Sequence, residues 1–325
     1  MKLLRRQCLR LAAGAAALSA ISRIAWAQTY PSRPVRLVVG FAPAGGTDIT
    51  ARLIGQLLSE RLGQPFVVEN RPGGGGSIAT RAVVNSPADG YTLLVASHTN
   101  AINATLYENL TYNFVRDITP VAGVVRVPQV IVINPSVPVH TLVEFISYAK
   151  ANPDKINYGS AGVGSGSHLA GELFKMMADV RMVHVPYRSS GPALTDLMGG
   201  QVQVVFAGTL EAIEYIKAGR VRALAVTTGM RSDALRDLPL VADLVAGYEA
   251  SGWYGIVAPK NTPPEIVDTL NNAINSILAD AVMKLRLADL GGVPMPMMPA
   301  NFGRFIAEET EKWGKVVKFS GARAD

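Results

Sequence analysis

Two glycine-rich turns, each joining an apolar strand to a helix, constrain this 325-residue chain more than any other feature. The first is Phe41-Ala42-Pro43-Ala44-Gly45-Gly46-Thr47-Asp48, after the apolar run Val35-Arg36-Leu37-Val38-Val39. The second runs from Tyr158 through Gly159, Ser160, Gly162, Gly164, Ser165 and Gly166 to His168. A helix N-terminus leaves backbone N–H groups unpaired and carries the positive end of the helix dipole. Glycine allows a sharp turn and leaves room for a ligand against the backbone. Each turn is therefore a candidate anion site. Two of them, far apart in one chain, point to one ligand held between two domains.

Strands and helices alternate along the chain, which argues for α/β sheets. Apolar runs predict strands at Val35–Val39, Phe66–Glu69, Tyr91–Ala96, Val130–Ile133, Ile156–Tyr158, Met182–Val185, Val202–Phe206, Val221–Thr227 and Trp253–Val257. Ile49, Leu53, Ile54, Leu57, Leu58 and Leu62 share one helical face that ends at Gly63. Thr141-x-x-Glu144 reads as a capping box, as does Thr262-Pro263-Pro264-Glu265. Two or three helices finish the chain.

The first 27 residues read as an export signal. Lys2, Arg5, Arg6 and Arg10 make a basic start, and the apolar run from Leu11 to Ile21 is too short to span a membrane. Ala25-Trp26-Ala27 is a small-x-small cleavage site before Gln28. Arg5-Arg6 with Leu9-Arg10 resembles a twin-arginine signal, with an ordinary secretion signal as the alternative. Cleavage takes away five bases and no acids. The 31 Lys and Arg then fall to 26, against 25 Asp and Glu, a net charge of +1. The basic balance is thus a property of the signal, and it gives little case for nucleic acid. The single cysteine, Cys8, leaves with the signal, so the mature chain forms no disulfide and no thiolate metal site. A soluble periplasmic protein is expected.

A longer series of motifs carries a resemblance. It begins with Tyr30-Pro31-Ser32-Arg33-Pro34-Val35, the turn from Phe41 to Asp48, and Val68-Glu69-Asn70-Arg71-Pro72-Gly73. It continues with Ala88-Asp89-Gly90-Tyr91-Thr92-Leu93, Ala101-Ile102-Asn103, Tyr158-Gly159-Ser160 and Val185-Pro186-Tyr187. Gly199-Gly200-Gln201-Val202, Leu224-Ala225-Val226-Thr227, Trp253-Tyr254-Gly255 and Ala258-Pro259 complete it. In this order and spacing, residues 30–321 resemble the extracytoplasmic solute receptors of tripartite tricarboxylate transporters, the Bug receptors. The resemblance implies a two-lobed type II periplasmic-binding-protein fold with the ligand in the cleft between lobes. It also implies a discontinuous first lobe, 28–126 plus 248–325, around a second lobe at 127–247.

The same resemblance places the ligand between the two turns. On the first lobe, Phe41, Ala44, Gly46, Thr47 and Asp48 would line the cleft, with Ser97, Thr99 and Asn100 approaching it. On the second, Ser160, Gly164, Ser165 and His168 would face them, near Tyr187 and Ala207-Gly208-Thr209. A ligand carboxylate would be held by N–H groups and hydroxyls, since neither turn contains Lys or Arg. Asp48 would repel a second negative charge, although it equally fits a helix-capping role. Ser165 and His168 have capping or packing alternatives of the same kind. The tracts Ser97-His98-Thr99-Asn100 and Tyr187-Arg188-Ser189-Ser190 depart from the pattern of the receptors, so ligand identity is not inherited.

The implied activity is capture of a small organic carboxylate by a monomeric receptor and its delivery to membrane transporter subunits. No cofactor and no metal is expected. A ligand-loaded sensor signalling to a membrane kinase would use the same cleft, and remains open. An exported hydrolase is a weaker alternative. Gly162-x-Gly164-x-x-Ser167 lacks the third glycine and the ribose-binding acid of a dinucleotide site. Gly75-Gly76-Ser77-Ile78-Ala79 lacks the last glycine of a nucleophile elbow.

Overall fold

The computed structural model describes residues 30–228 and 235–324, so the expected signal segment, 1–27, lies outside the described residues. Arg33–Asp325 form one compact unit. Every described strand and helix belongs to the unit that begins at Arg33.

The apolar run Val35–Val39 forms β1, buried except at Arg36. That near-continuous burial is what an inner parallel strand requires. β1 lies between β2 (Phe66–Asn70) and β3 (Thr92–Ser97), parallel to both. Helix α1 (Gly46–Leu62) follows β1 and stops at Gly63, whose φ of 71° supplies the left-handed residue that ends a helix. Helices α2 (Ser77–Val84) and α3 (His98–Leu106) flank β3 in sequence. A long strand, β4 (Ile118–Ile133), comes next, then α4 (Leu142–Ala151). A second parallel group is built from β5 (Asn157–Ser160), β6 (Val183–Pro186) and β7 (Val204–Gly208). Between and after these run α5 (Gly166–Ala178), α6 (Ser190–Met198) and α7 (Thr209–Lys217). β8 (Arg222–Val226) and β9 (Ser251–Pro259) precede α8 (Pro264–Ala279) and α9 (Ala281–Asp289). The short β10 (Val293–Pro294) and α10 (Pro299–Ser320) end the chain.

The sheet runs β2-β1-β3-β9-β4-β7-β5-β6, with β8 and β10 also paired to β4. Two parallel groups are therefore joined through an antiparallel centre. β4 is that centre. Its residues from Ile118 to Pro128 pair with β9, and those from Gln129 to Ile133 pair with β7. Only the last quarter of β4, Val130–Ile133, is predicted from sequence. The earlier part contains Pro120, Gly123 and Pro128, which weaken a strand reading. The strand accommodates Pro120 and Gly123 at two register shifts against β9. Thr227 fastens the change of partner: its N–H and Oγ1 donate to Gln129 O (2.9 and 3.0 Å), and its Oγ1 also reaches Ala250 O at 2.6 Å.

Phe145, Tyr158, Phe174, Phe206, Trp253 and Trp313 are fully buried in one apolar cluster. Burying each such aromatic stabilises the fold by roughly 1.5–3 kcal/mol. The Trp253 and Trp313 indole N–H groups both donate to the buried Glu309 carboxylate at 3.0 Å. Of the two expected capping boxes, the first forms in part, its return bond going to the residue before the cap. Thr141 Oγ1 accepts from Glu144 N–H, and Glu144 accepts from His140 N–H. The second does not: Thr262 Oγ1 turns back to Pro259 O, and Pro263 occupies the capping position.

Candidate functional site

The N-termini of five helices meet around one cavity. Gly45, Gly46 and Thr47 come from α1; Ser97, His98 and Thr99 from α3; Ser165, Gly166 and Ser167 from α5; Ser189 and Ser190 from α6; Gly208 and Glu211 from α7. Each of these helices is nine residues or longer. Phe41, Val127, Gln129, Ala161, Phe206, Gly252 and Tyr254 complete the wall. No lysine or arginine lines it. The cavity measures about 30 Å³, room for about two waters. A second cavity of about 220 Å³ shares Phe41 and Ala161 with it and is lined further by Gly73 to Gly76, Gly162, Tyr187 and Arg188.

Sequence order explains the convergence. Each of the five helices directly follows a strand or the turn after it, and residues of β4 and β9 complete the wall between them. Where the backbone is closest, glycine is required. A Cβ on Gly46 would lie 2.6 Å from Glu211 Oε2, and against the Tyr254 hydroxyl. One on Gly191 would lie 3.0 Å from Ala44 O. The turn at 41–45 also touches residues 188–189 directly, through Ala42 N–H to Arg188 O (3.3 Å) and Ser189 Oγ to Pro43 O (3.4 Å).

The second glycine-rich turn satisfies most of its own polar groups. Ser165 Oγ caps α5 by accepting His168 N–H, and Ser167 Oγ accepts Ala161 N–H at 2.9 Å. Gly164 N–H donates to His168 Nδ1 at 3.0 Å. His168 stacks on His184 with ring centroids 4.0 Å apart. Burial keeps both rings neutral, pushing His184 down to about 3 and His168 below its ordinary value. Ser160 Oγ lies 2.6 Å from His184 Nε2.

Of the residues placed in the cleft by sequence, Phe41, Gly46, Thr47, Ser97, Thr99, Ser165 and Gly208 line the first cavity. Tyr187 lines the second, with its hydroxyl donating to Asp196. The others are engaged elsewhere. Ala44 N–H donates to Asp48. Asn100 bonds Ser97 N–H and Thr80 Oγ1, tying α3 to α2. Ser160, Gly164 and His168 hold the second turn together. Ala207 packs in the apolar cluster behind β7, and Thr209 Oγ1 donates to Gly291 O.

Asp48 turns away from the cavity. Arg52 makes two bonds to it (2.9 and 3.0 Å), and Asn70 Nδ2 and Ala44 N–H make two more. Burial alone would push this carboxyl up, but these four donors win and hold it below its ordinary value. The repulsion expected from Asp48 is therefore cancelled by Arg52. Asp48→Ala is expected to destabilise the fold by about 2 kcal/mol, because the half-exposed Arg52 stays solvated and the loss is mainly the bonds from Asn70 and Ala44, while changing ligand affinity of the folded fraction less than twofold. Denaturant melts paired with calorimetry check both parts.

Sequence reading did not single out Gln129, Glu211 or Tyr254 as site residues, and it noted His98, Ser189 and Ser190 only within the two tracts that depart from the receptor pattern. His98 is 6% exposed, and its Nδ1 accepts Trp253 N–H at 3.4 Å. Burial pushes it down to about 4. Glu211 is 8% exposed. Its Oε1 accepts Gly208 N–H at 3.0 Å, while Oε2 has no hydrogen bond among the described residues. Burial pushes this carboxyl up to about 7, against the pull of the Ser190 hydroxyl and nearby N–H groups. The Gly208-x-x-Glu211 spacing of a helix start was the available signal.

Two parallel groups joined by exchanged central strands, with a cavity ringed by helix ends, define a two-lobed solute-binding protein. Residues 50–321 match the signature described as Tripartite tricarboxylate transporter family receptor, TctC, and the chain belongs to that family. Protein BugT of Bordetella pertussis is 38% identical over 302 residues, 91% of this chain and 92% of that protein. Among solved structures, R. palustris Rpa4515 with adipate is 38% identical and superposes with a TM-score of 0.88, covering 90% of this chain and 99% of that one. MatC from Rhodopseudomonas palustris with bound malate is 33% identical, with a TM-score of 0.83 over 89% and 100% of the two chains. This is a receptor family of the periplasm rather than an enzyme family. No helix among the described residues is long and apolar enough to cross a membrane.

Proposed function

We propose that this receptor captures a small organic carboxylate in the cavity and hands it to the membrane subunits of a tripartite transporter. One observation carries the reading: five helix N-termini point at a cavity with no lysine or arginine in its wall among the described residues. Each such terminus favours an anion by about 0.3–1 kcal/mol, and up to ~2 when sheltered from water. Hydroxyls of Thr47, Ser97, Thr99, Ser165, Ser167 and Ser190 supply further donors. The solved structures of relatives with adipate and with malate support that ligand class. Both are dicarboxylates, and the larger adjoining cavity suits the far end of one, with Arg188 at its edge.

The lobes we propose are about 28–126 plus 248–325, and 127–247. β4 changes partners at Gln129 and β9 begins at Ser251, close to both crossovers. A cavity of about 30 Å³ must widen to admit an acid the size of malate. Entry therefore requires the lobes to part and then close. Small-angle scattering should show compaction when a bound acid is added, and a thermal-shift panel of mono- and dicarboxylates should show at least one acid raising the melting temperature. A panel in which only sugars or amines stabilise the protein would reject the reading. Arg188→Gln is expected to weaken dicarboxylates severalfold and leave monocarboxylates unchanged, by calorimetry. We further propose export with cleavage before Gln28, which an intact mass of periplasmic protein tests; a mass that includes residues 1–27 would contradict it.

A further inference from the structure

We propose that the receptor takes up one proton together with its ligand, on Glu211, so that the cavity never holds two carboxylate charges at once. This rests on the proposed capture of a carboxylate. Glu211 is the carboxylate in the cavity wall. Its Oε2 has no hydrogen-bond partner among the described residues and lies against the backbone of Gly46 at the start of α1. An incoming anion drawn to the helix ends thus arrives beside a buried acid.

Among the described residues no lysine or arginine lines the cavity to compensate a second charge. The groups facing Glu211 are Tyr254 from β9, Ser190 from α6, the Gly208 N–H of its own helix, and the α1 N-terminus at Gly46. His98 from α3 also lines the wall, with its ring packed against Tyr254 at 6.3 Å. Tyr254 is held well above its ordinary value by burial and by Glu211 itself, so it stays a neutral donor. His98 stays neutral because burial opposes its charge. Asp48, the acid in the first turn of α1, is already committed to Arg52.

Two carboxylates in one such closed cavity raise each other's proton affinity, and one becomes neutral. Ligand and Glu211 compete for the same helix ends. The ligand brings the charge, so Glu211 takes the proton. Solvent supplies that proton, and only the O–H bond on Glu211 forms. The neutral acid can then donate from Oε2 to a ligand oxygen, where the ionised form could only accept. Specificity follows: an ionised Glu211 would instead select a ligand amine or hydroxyl.

Calorimetry of malate, adipate and the tightest acid of the thermal-shift panel, in two buffers of different ionisation enthalpy, measures the protons taken up. Above about pH 7.5, wild-type affinity should fall roughly tenfold per pH unit, with one proton taken up per ligand. Glu211→Gln should bind independently of pH, and at about pH 9 at least tenfold more tightly than wild type. The wild-type proton count alone decides the matter if the variant does not fold. A flat wild-type profile without proton uptake, or a Glu211→Gln variant weaker than wild type at about pH 9, would overturn the proton but leave acid capture standing. Failure of every acid to bind would overturn both.

Discussion

Gly166→Val is expected to weaken ligand binding by at least ~100-fold, or about 2.7 kcal/mol, while the ligand-free protein stays folded. Gly166 opens α5 on one side of the cavity, and its missing side chain faces the His98 ring of α3 on the other. Even a Cβ there would overlap His98 Nε2. That ring cannot move aside. It is buried, held by Trp253 N–H, and packed near Tyr254 and Trp313 at centroid distances of 6.3 and 6.4 Å. If the two sides separate in the open receptor, the clash exists only on closure. Gly164 makes a poorer probe because its φ of +74° strains any other residue. Circular dichroism and calorimetry on the variant separate the two effects. Wild-type affinity in a folded Gly166→Val protein would show that the cavity does not close on the ligand in this geometry.

Acid should destabilise the ligand-free protein, with the buried histidines, His98 among them, as the main cause. The folded ring titrates near 4, whereas an unfolded histidine titrates near ~6.5. The unfolded state therefore binds more protons between these values. His98 contributes its full stability above about pH 6.5, and about 3 kcal/mol of it is lost as pH falls to about 4. His168 and His184 act with the same sign, because both are also held below their ordinary value. Glu211 acts with the opposite sign. Its carboxyl is raised to about 7, so its contribution is present below the unfolded carboxylate range and is lost as pH rises through about 7. The histidines outnumber it, and the net slope below pH 6.5 is toward instability. His98→Gln should flatten the acid limb, and Glu211→Gln should steepen it and raise stability at about pH 8. Urea melts across this range test the assignment. An unchanged slope in His98→Gln would rule out His98 as the buried titrating group.

Local chemistry made part of this fold legible in the sequence. The turns at 41–48 and 158–168 were readable because glycine, serine and an adjoining apolar strand have few other uses in that order. The αL residue Gly63 ended α1 as its type requires. The ring of five helix ends was not readable, because it exists only when β4 and β9 bring distant segments together. α3 and the early part of β4 were also missed. His98-Thr99-Asn100 has weak helix propensity, and its start is fixed by Asn100 bonding Ser97 N–H. Pro120 and Pro128 hid the long strand, whose proline and glycine are absorbed at register shifts and at the change of partner. Asp48 was legible as the acid of the first turn of α1, but not as the partner of Arg52, since a bidentate pair depends on rotamers. Glu211 carried only a capping signal. Its free oxygen is a consequence of tertiary burial.

Helix ends and hydroxyls, with no lysine or arginine in the wall of the first cavity among the described residues, are proposed to hold the carboxylate anion there. Calorimetry of one bound acid against its own amide, at fixed pH and ionic strength, tests this most directly. The amide keeps the size and loses the charge. It should bind at least ~10-fold more weakly, a loss of about 1.4 kcal/mol. Equal affinity for acid and amide would contradict anion capture by the helix ends.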